Sequence, residues 1–95
     1  MWWLDVEVAN SWSSNNLALN RATIQGATDR LARTGLPVGV YSTMLSWGTI
    51  TGGVFTPSRS SAEWVAGGSC STPFDGAPVW LSQLTTGGFD YDTAC

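Results

Sequence analysis

Apolar and polar positions alternate from the start of the chain. In "WWLDVEV", residues 2–8, Trp3, Asp5 and Glu7 fall on one face and Trp2, Leu4 and Val6 on the other. A period of two predicts a strand, with its apolar face packed on helices. After the polar "NSWSSNN" the period changes: Leu17, Ile24, Ala27 and Leu31 form a helical stripe within residues 16–34, and Ser14 or Asn15 can cap its start. Gly35 supplies a left-handed stop and Pro37 follows where the helix cannot continue. "PVGVYST" is apolar with little alternation, the pattern of a strand covered on both faces. Strand, helix and strand in this order predict a right-handed parallel crossover. Further on, "MLSWGTIT" reads as a short helix, "GGVFTPSRSS" as a loop and "AEWVAGG" as a third strand. "SCSTPFDGA" reads as another loop, "PVWLSQL" as a fourth strand and "TTGGFDYDTAC" as a turn leading into a terminal stretch. The predicted class is α/β, either an open doubly wound sheet or part of a barrel. Both architectures collect function at the carboxyl ends of parallel strands, where Asp5 and Glu7 lie.

Composition narrows the partners. A chain of 95 residues with 43% hydrophobic and 12% charged positions is globular and spans one domain at most. No apolar run approaches the roughly 18 residues of a membrane span. A net charge of -3, with four arginines and no lysine, disfavours nucleic acid and anionic membranes, so a neutral partner fits better. Histidine is absent, which removes histidine-dependent triads and the usual zinc sites and leaves acid–base chemistry to carboxylates. Cys70 and Cys95 are too far apart for a thiolate knuckle and read as a disulfide formed in an oxidising compartment; two buried thiols are the alternative. No leader peptide precedes Trp2 and Trp3, so an extracellular home implies missing upstream sequence.

On a strand, Asp5 and Glu7 project to one side with α-carbons about 6 to 7 Å apart. Glycosidic cleavage needs one carboxyl that keeps its proton and one that stays ionised, and surroundings alone can separate the two. Glu7, flanked by valines and close to tryptophans, is the candidate for the protonated partner. A solvent-facing acidic strand is the plainer explanation of the tripeptide. Of the six tryptophans, most belong in a core, while Trp12 and Trp47 fall in connecting segments and are the better ligand candidates. Tyr41 and Gln83 bring hydrogen-bonding tips near strand ends. Asp90 and Asp92 lack the oxygen-ligand spacing of a calcium loop, and no phosphate-cradling glycine motif occurs, so no cofactor or metal is expected.

The order "WWLDVEVANSW", "GLPVGVYST", "EWVAGG", "VWLSQL", "FDYD" resembles the C-terminal part of the glycoside hydrolase family 25 barrels, lysozyme-like enzymes that cut the glycan of bacterial cell walls. Its most specific element is the acid-x-glutamate strand followed about 35 residues later by the glycine-x-tyrosine strand. The resemblance implies Glu7 as proton donor, Asp5 as its partner and Asp90, ahead of Asp92, as the acid near the barrel's end. It also places Tyr41, Trp64 and Gln83 along the cleft. The leucine after Gln83 stands where these enzymes often carry an aromatic residue.

A complete (β/α)8 barrel takes about 200 residues or more, so residues 1–95 correspond to one incomplete domain, the second half of such a barrel. The implied function is hydrolysis of peptidoglycan by a secreted enzyme, with the missing N-terminal half or self-association closing the sheet. The alternatives are a non-catalytic module that binds cell-wall glycan through the aromatic cleft, and a truncated piece with no independent function.

Overall fold

The computed structural model describes residues 1–95. The elements run β1 (Trp2–Asp5), α1 (Leu17–Ala32), β2 (Val38–Ser42), α2 (Met44–Thr51), β3 (Ser60–Ala66), β4 (Val79–Thr86) and β5 (Phe89–Ala94). They form one five-stranded sheet in sequence order, parallel from β1 to β4 and antiparallel between β4 and β5. The fold is α/β as expected, and its mostly parallel sheet and two helices are compatible with part of a barrel wall.

The expected first strand is cut short. Pairing with β2 ends where the Val6 N–H meets the Tyr41 carbonyl, and the chain then turns through the Asn10 N–H to Glu7 carbonyl bond. Leu4 and Val6 do face the core. Trp2 does not; its indole N–H reaches the Thr34 hydroxyl at 3.0 Å, so the ring covers the end of α1 instead.

Neither Ser14 nor Asn15 caps α1. Asn16 does, its side chain accepting the Leu19 N–H. The helix also presents a different stripe, burying Asn20, Ile24 and Thr28 while Leu17, Ala27 and Leu31 are half-buried. Two polar residues enter the interior because each is satisfied there. The Asn20 amide donates to the Ser13 and Ile50 carbonyls and accepts the Ser13 N–H, and the Thr28 hydroxyl donates to the Ile24 carbonyl. Helix α2 starts at the Thr43 cap and ends at Gly52, whose φ of 91° is the left-handed conformation glycine adopts without strain.

The core gathers Val6, Ile24, Val40, Trp47, Ile50, Val65 and Phe74. Between β3 and β4 the crossover is a loop, and it covers the sheet by sending Phe74 against Trp47, with ring centroids 5.2 Å apart. Glu63 anchors that loop from within. It is fully buried, and its carboxylate accepts the N–H groups of Phe74, Asp75 and Gly76 at 2.7, 2.8 and 3.0 Å.

The terminal stretch is a strand: β5 has 6 residues and returns along β4 through Gly87 and Gly88, both at positive φ. Two successive positive φ values suit a two-residue hairpin. A disulfide joins Cys70 to Cys95 across 25 residues and ties the end of β5 to the β3–β4 loop. On the chain-entropy model its loss is expected to cost about 3 kcal/mol, read as a lower urea midpoint in reductant. An unchanged midpoint would show that β5 is held without it.

Gly39 has a packing reason. A β-carbon there would overlap the six-membered ring of Trp3, which lies across it. Gly39→Ala is expected to lower stability by about 1–3 kcal/mol, measured by urea unfolding, because the indole must leave the strand and give up its packing against Trp64.

Candidate active site

The sheet face opposite the helices carries the polar and aromatic side chains. Trp3 and Asp5 from β1, Tyr41 from β2, Trp64 from β3 and Gln83 from β4 line a pocket of about 280 Å³. Register explains the grouping, since Asp5 pairs with Tyr41 and Tyr41 with Trp64. The rings brace one another edge-on: Tyr41 and Trp64 have centroids 5.1 Å apart, Trp3 and Trp64 5.7 Å. Edge-to-face contacts of this kind hold aromatic planes in fixed orientation.

Polar tips are fixed as well. The Tyr41 hydroxyl donates to Gln83 Oε1 at 2.7 Å, and the Trp64 indole N–H donates to Asp92 Oδ1 at 2.9 Å. Each bond reaches over one intervening strand, β3 for Tyr41 and Gln83 and β4 for Trp64 and Asp92, and restricts a side chain that a ligand would meet.

Glu7 lies just past the end of β1, half-buried beside Asp5. Desolvation holds its carboxyl above the usual glutamate range, and the Asp5 side chain and charge push it further up. Tyr41 is also pushed up, first by burial and then by the charges of Glu7, Asp5, Asp90 and Asp92. Four carboxylates therefore act on the centre of this face. Such an arrangement favours a protonated donor beside an ionised partner, and it attracts developing positive charge.

The structure thus brings together Asp5, Glu7, Tyr41, Trp64 and Gln83. Trp47 is a correction: it lies in α2, is 1% exposed, and stacks on Phe55 within the core, where no ligand reaches it. The α2 face that looked like a connecting segment is the one turned toward the sheet. Trp12 sits apart from the pocket, in the loop after β1, with its indole N–H bonded to the Glu7 carbonyl at 2.8 Å. Asp90 accepts the Thr85 hydroxyl at 2.6 Å near the hairpin turn, whereas Asp92, the second choice from sequence, pairs with Gln83 and holds Trp64. Trp3 is a pocket residue that sequence reasoning left in the core; its alternation with Asp5 was the available signal. No group of three or more histidine, cysteine, aspartate or glutamate side chains is placed to hold a metal ion.

A family model described as Lys-1, lysozyme-like protein 1, matches residues 1–72 of the chain. The matched stretch contains Asp5, Glu7, Tyr41 and Trp64. No curated protein and no solved structure matches.

Proposed function

The chain belongs to the lysozyme-like protein 1 family, and from that premise we propose that it hydrolyses glycosidic bonds of bacterial peptidoglycan outside the cell. One observation carries the reading: Glu7 lies beside Asp5, which lines an aromatic pocket, and desolvation and that neighbour raise the Glu7 pKa. In the proposed reaction Glu7 protonates the leaving oxygen of the glycosidic bond. The Asp5 side chain stabilises the oxocarbenium-like charge that develops on the sugar, and water adds to the anomeric carbon, its released proton returning to Glu7. Asp92, on the far side of Trp64, and Asp90 beyond it add to the negative field. Trp3, Trp64, Tyr41 and Gln83 supply the flat apolar and hydrogen-bonding surfaces that a sugar ring needs.

Within the lysozyme-like family, the order of motifs supports a family 25-like enzyme whose barrel this sheet partly builds. On that reading β1 is the wall's open edge, and the preceding strands of the barrel or a second copy of the chain would cover it. The disulfide supports secretion, because such bonds persist in oxidising compartments.

The test is incubation of the folded chain with purified peptidoglycan, followed by quantification of new reducing ends. Release of disaccharide-sized muropeptides supports the assignment. Sedimentation with the glycan but no new reducing ends would instead make the domain a glycan-binding module.

A further inference from the structure

We infer that Trp12 is a positioning residue for Glu7: its indole N–H, donated to the Glu7 carbonyl, fixes the main chain from which the acid projects. The inference rests on Glu7 being the general acid. Three bonds meet on this one residue. Trp12 Nε1 reaches the Glu7 carbonyl at 2.8 Å, the Asn10 N–H reaches the same oxygen at 3.0 Å, and the Glu7 N–H donates to Asn10 Oδ1 at 3.0 Å. Both main-chain polar groups of Glu7 are thereby committed, just where the β-ladder has ended and no strand partner holds the chain. A neighbouring bond stiffens the approach, since the buried Ser42 hydroxyl donates to the Val6 carbonyl at 2.7 Å.

A role for Trp12 as the sugar's stacking platform fits the geometry less well. The ring packs against the core and borders a separate pocket of about 250 Å³ with Val8, Asn10 and Ile50, which shares no lining residue with the pocket of Asp5 and Tyr41. Its N–H is already used. The ring is therefore anchored by packing, and the anchor is transmitted to Glu7 through one hydrogen bond.

What the anchor secures is the environment of the Glu7 carboxyl. That group faces Asp5 at the end of β1 and Tyr41 from β2, and the charges of Asp90 and Asp92 reach Tyr41 from β5. Desolvation and the Asp5 side chain raise the Glu7 pKa only while the main chain holds the carboxyl there. Loosening the turn lets the carboxyl move further into solvent and away from Asp5, which lowers its pKa toward the ordinary value.

The experiment is a carbon-detected NMR titration of the Glu7 carboxyl in the full chain, comparing wild type with Trp12→Phe and Asn10→Ala. Trp12→Phe keeps the ring and removes only the donor. Glu7 is expected to titrate above the ordinary glutamate range in wild type and to move down in both variants. A Cys70→Ser/Cys95→Ser protein, destabilised elsewhere, is expected to keep the wild-type titration. On peptidoglycan, Trp12→Phe is expected to lower kcat about ten- to a hundredfold with KM unchanged, the signature of a misplaced group. An unshifted Glu7 in either folded variant, or a raised KM with unchanged kcat, overturns the positioning role. A wild-type chain that cuts no glycan overturns the proposed function instead, and the titration, which needs no substrate, still decides the anchor.

Discussion

Glu7→Gln is expected to abolish peptidoglycan hydrolysis, with a loss of at least about 10²–10⁴-fold in kcat, the range carried by a positioned general acid. Glutamine keeps the size of the side chain but has no proton to give to a leaving oxygen, and the main-chain bonds to Asn10 and Trp12 are unaffected. Near-ultraviolet circular dichroism should therefore match wild type. Retained turnover in a folded variant would remove Glu7 from the reaction. The pH profile gives a second reading. A general acid works only while protonated, so activity should fall as pH rises through the Glu7 pKa, and that alkaline limb should lie above the ordinary glutamate range. Asp5→Asn removes the neighbouring charge and leaves desolvation, so the limb should move to lower pH. A limb that stays in place would show that Asp5 does not set the proton affinity of Glu7.

Glu63→Ala is expected to cost about 3–5 kcal/mol of stability, measured by urea unfolding. Three N–H groups, of Phe74, Asp75 and Gly76, lose their common acceptor, and those of buried Phe74 and Asp75 have no replacement within the protein. Total stability of a domain this small is about 5–15 kcal/mol, so the variant should be partly unfolded near physiological temperature. A cost below about 1 kcal/mol would mean that Phe74 and the disulfide hold the loop without the carboxylate. Asp75 adds a pH dependence of definite sign. Burial, and then the adjoining Glu63, push its carboxyl up to about 8 from an ordinary value of 3.8, against the opposing Ala77 N–H. The folded state therefore keeps a proton that the unfolded state has already lost between those values. The contribution is complete below about pH 4 and disappears as pH rises through about 8, so this carboxyl should lower the melting temperature across that window. Asp75→Asn, neutral at every pH, should flatten the slope. An unchanged slope would place the titration elsewhere.

The position of Asp92 shows how far a carboxylate's role depends on its strand. Along "FDYD" the two aspartates share a face and differ only by one step of the pleat. Only the pairing of β5 with β4 brings Asp92 opposite Gln83, and so onto Trp64, while leaving Asp90 beside Thr85. A motif fixes the residue types, and antiparallel register chooses between them.

Alternation in "WWLDVEV" and the helical stripe that follows were enough to read α/β, because each depends on neighbours a few residues apart. The stop at Gly35 and the closeness of Asp5 and Glu7 have the same local origin. Pairing of Cys70 with Cys95 needed no geometry at all, since the chain has two cysteines. Everything else depended on contacts between distant segments. The burial of Trp47 came from the loop that places Phe74 against it, and Asn20 could enter the interior because the Ile50 carbonyl was waiting 30 residues away. Glu63 inside β3 reads as a defect until the turn at residues 74–76 supplies three donors. Hydrophobic pattern tells which face a side chain takes, but whether that face meets water, a ligand or a remote main-chain group is set only when the chain folds back on itself.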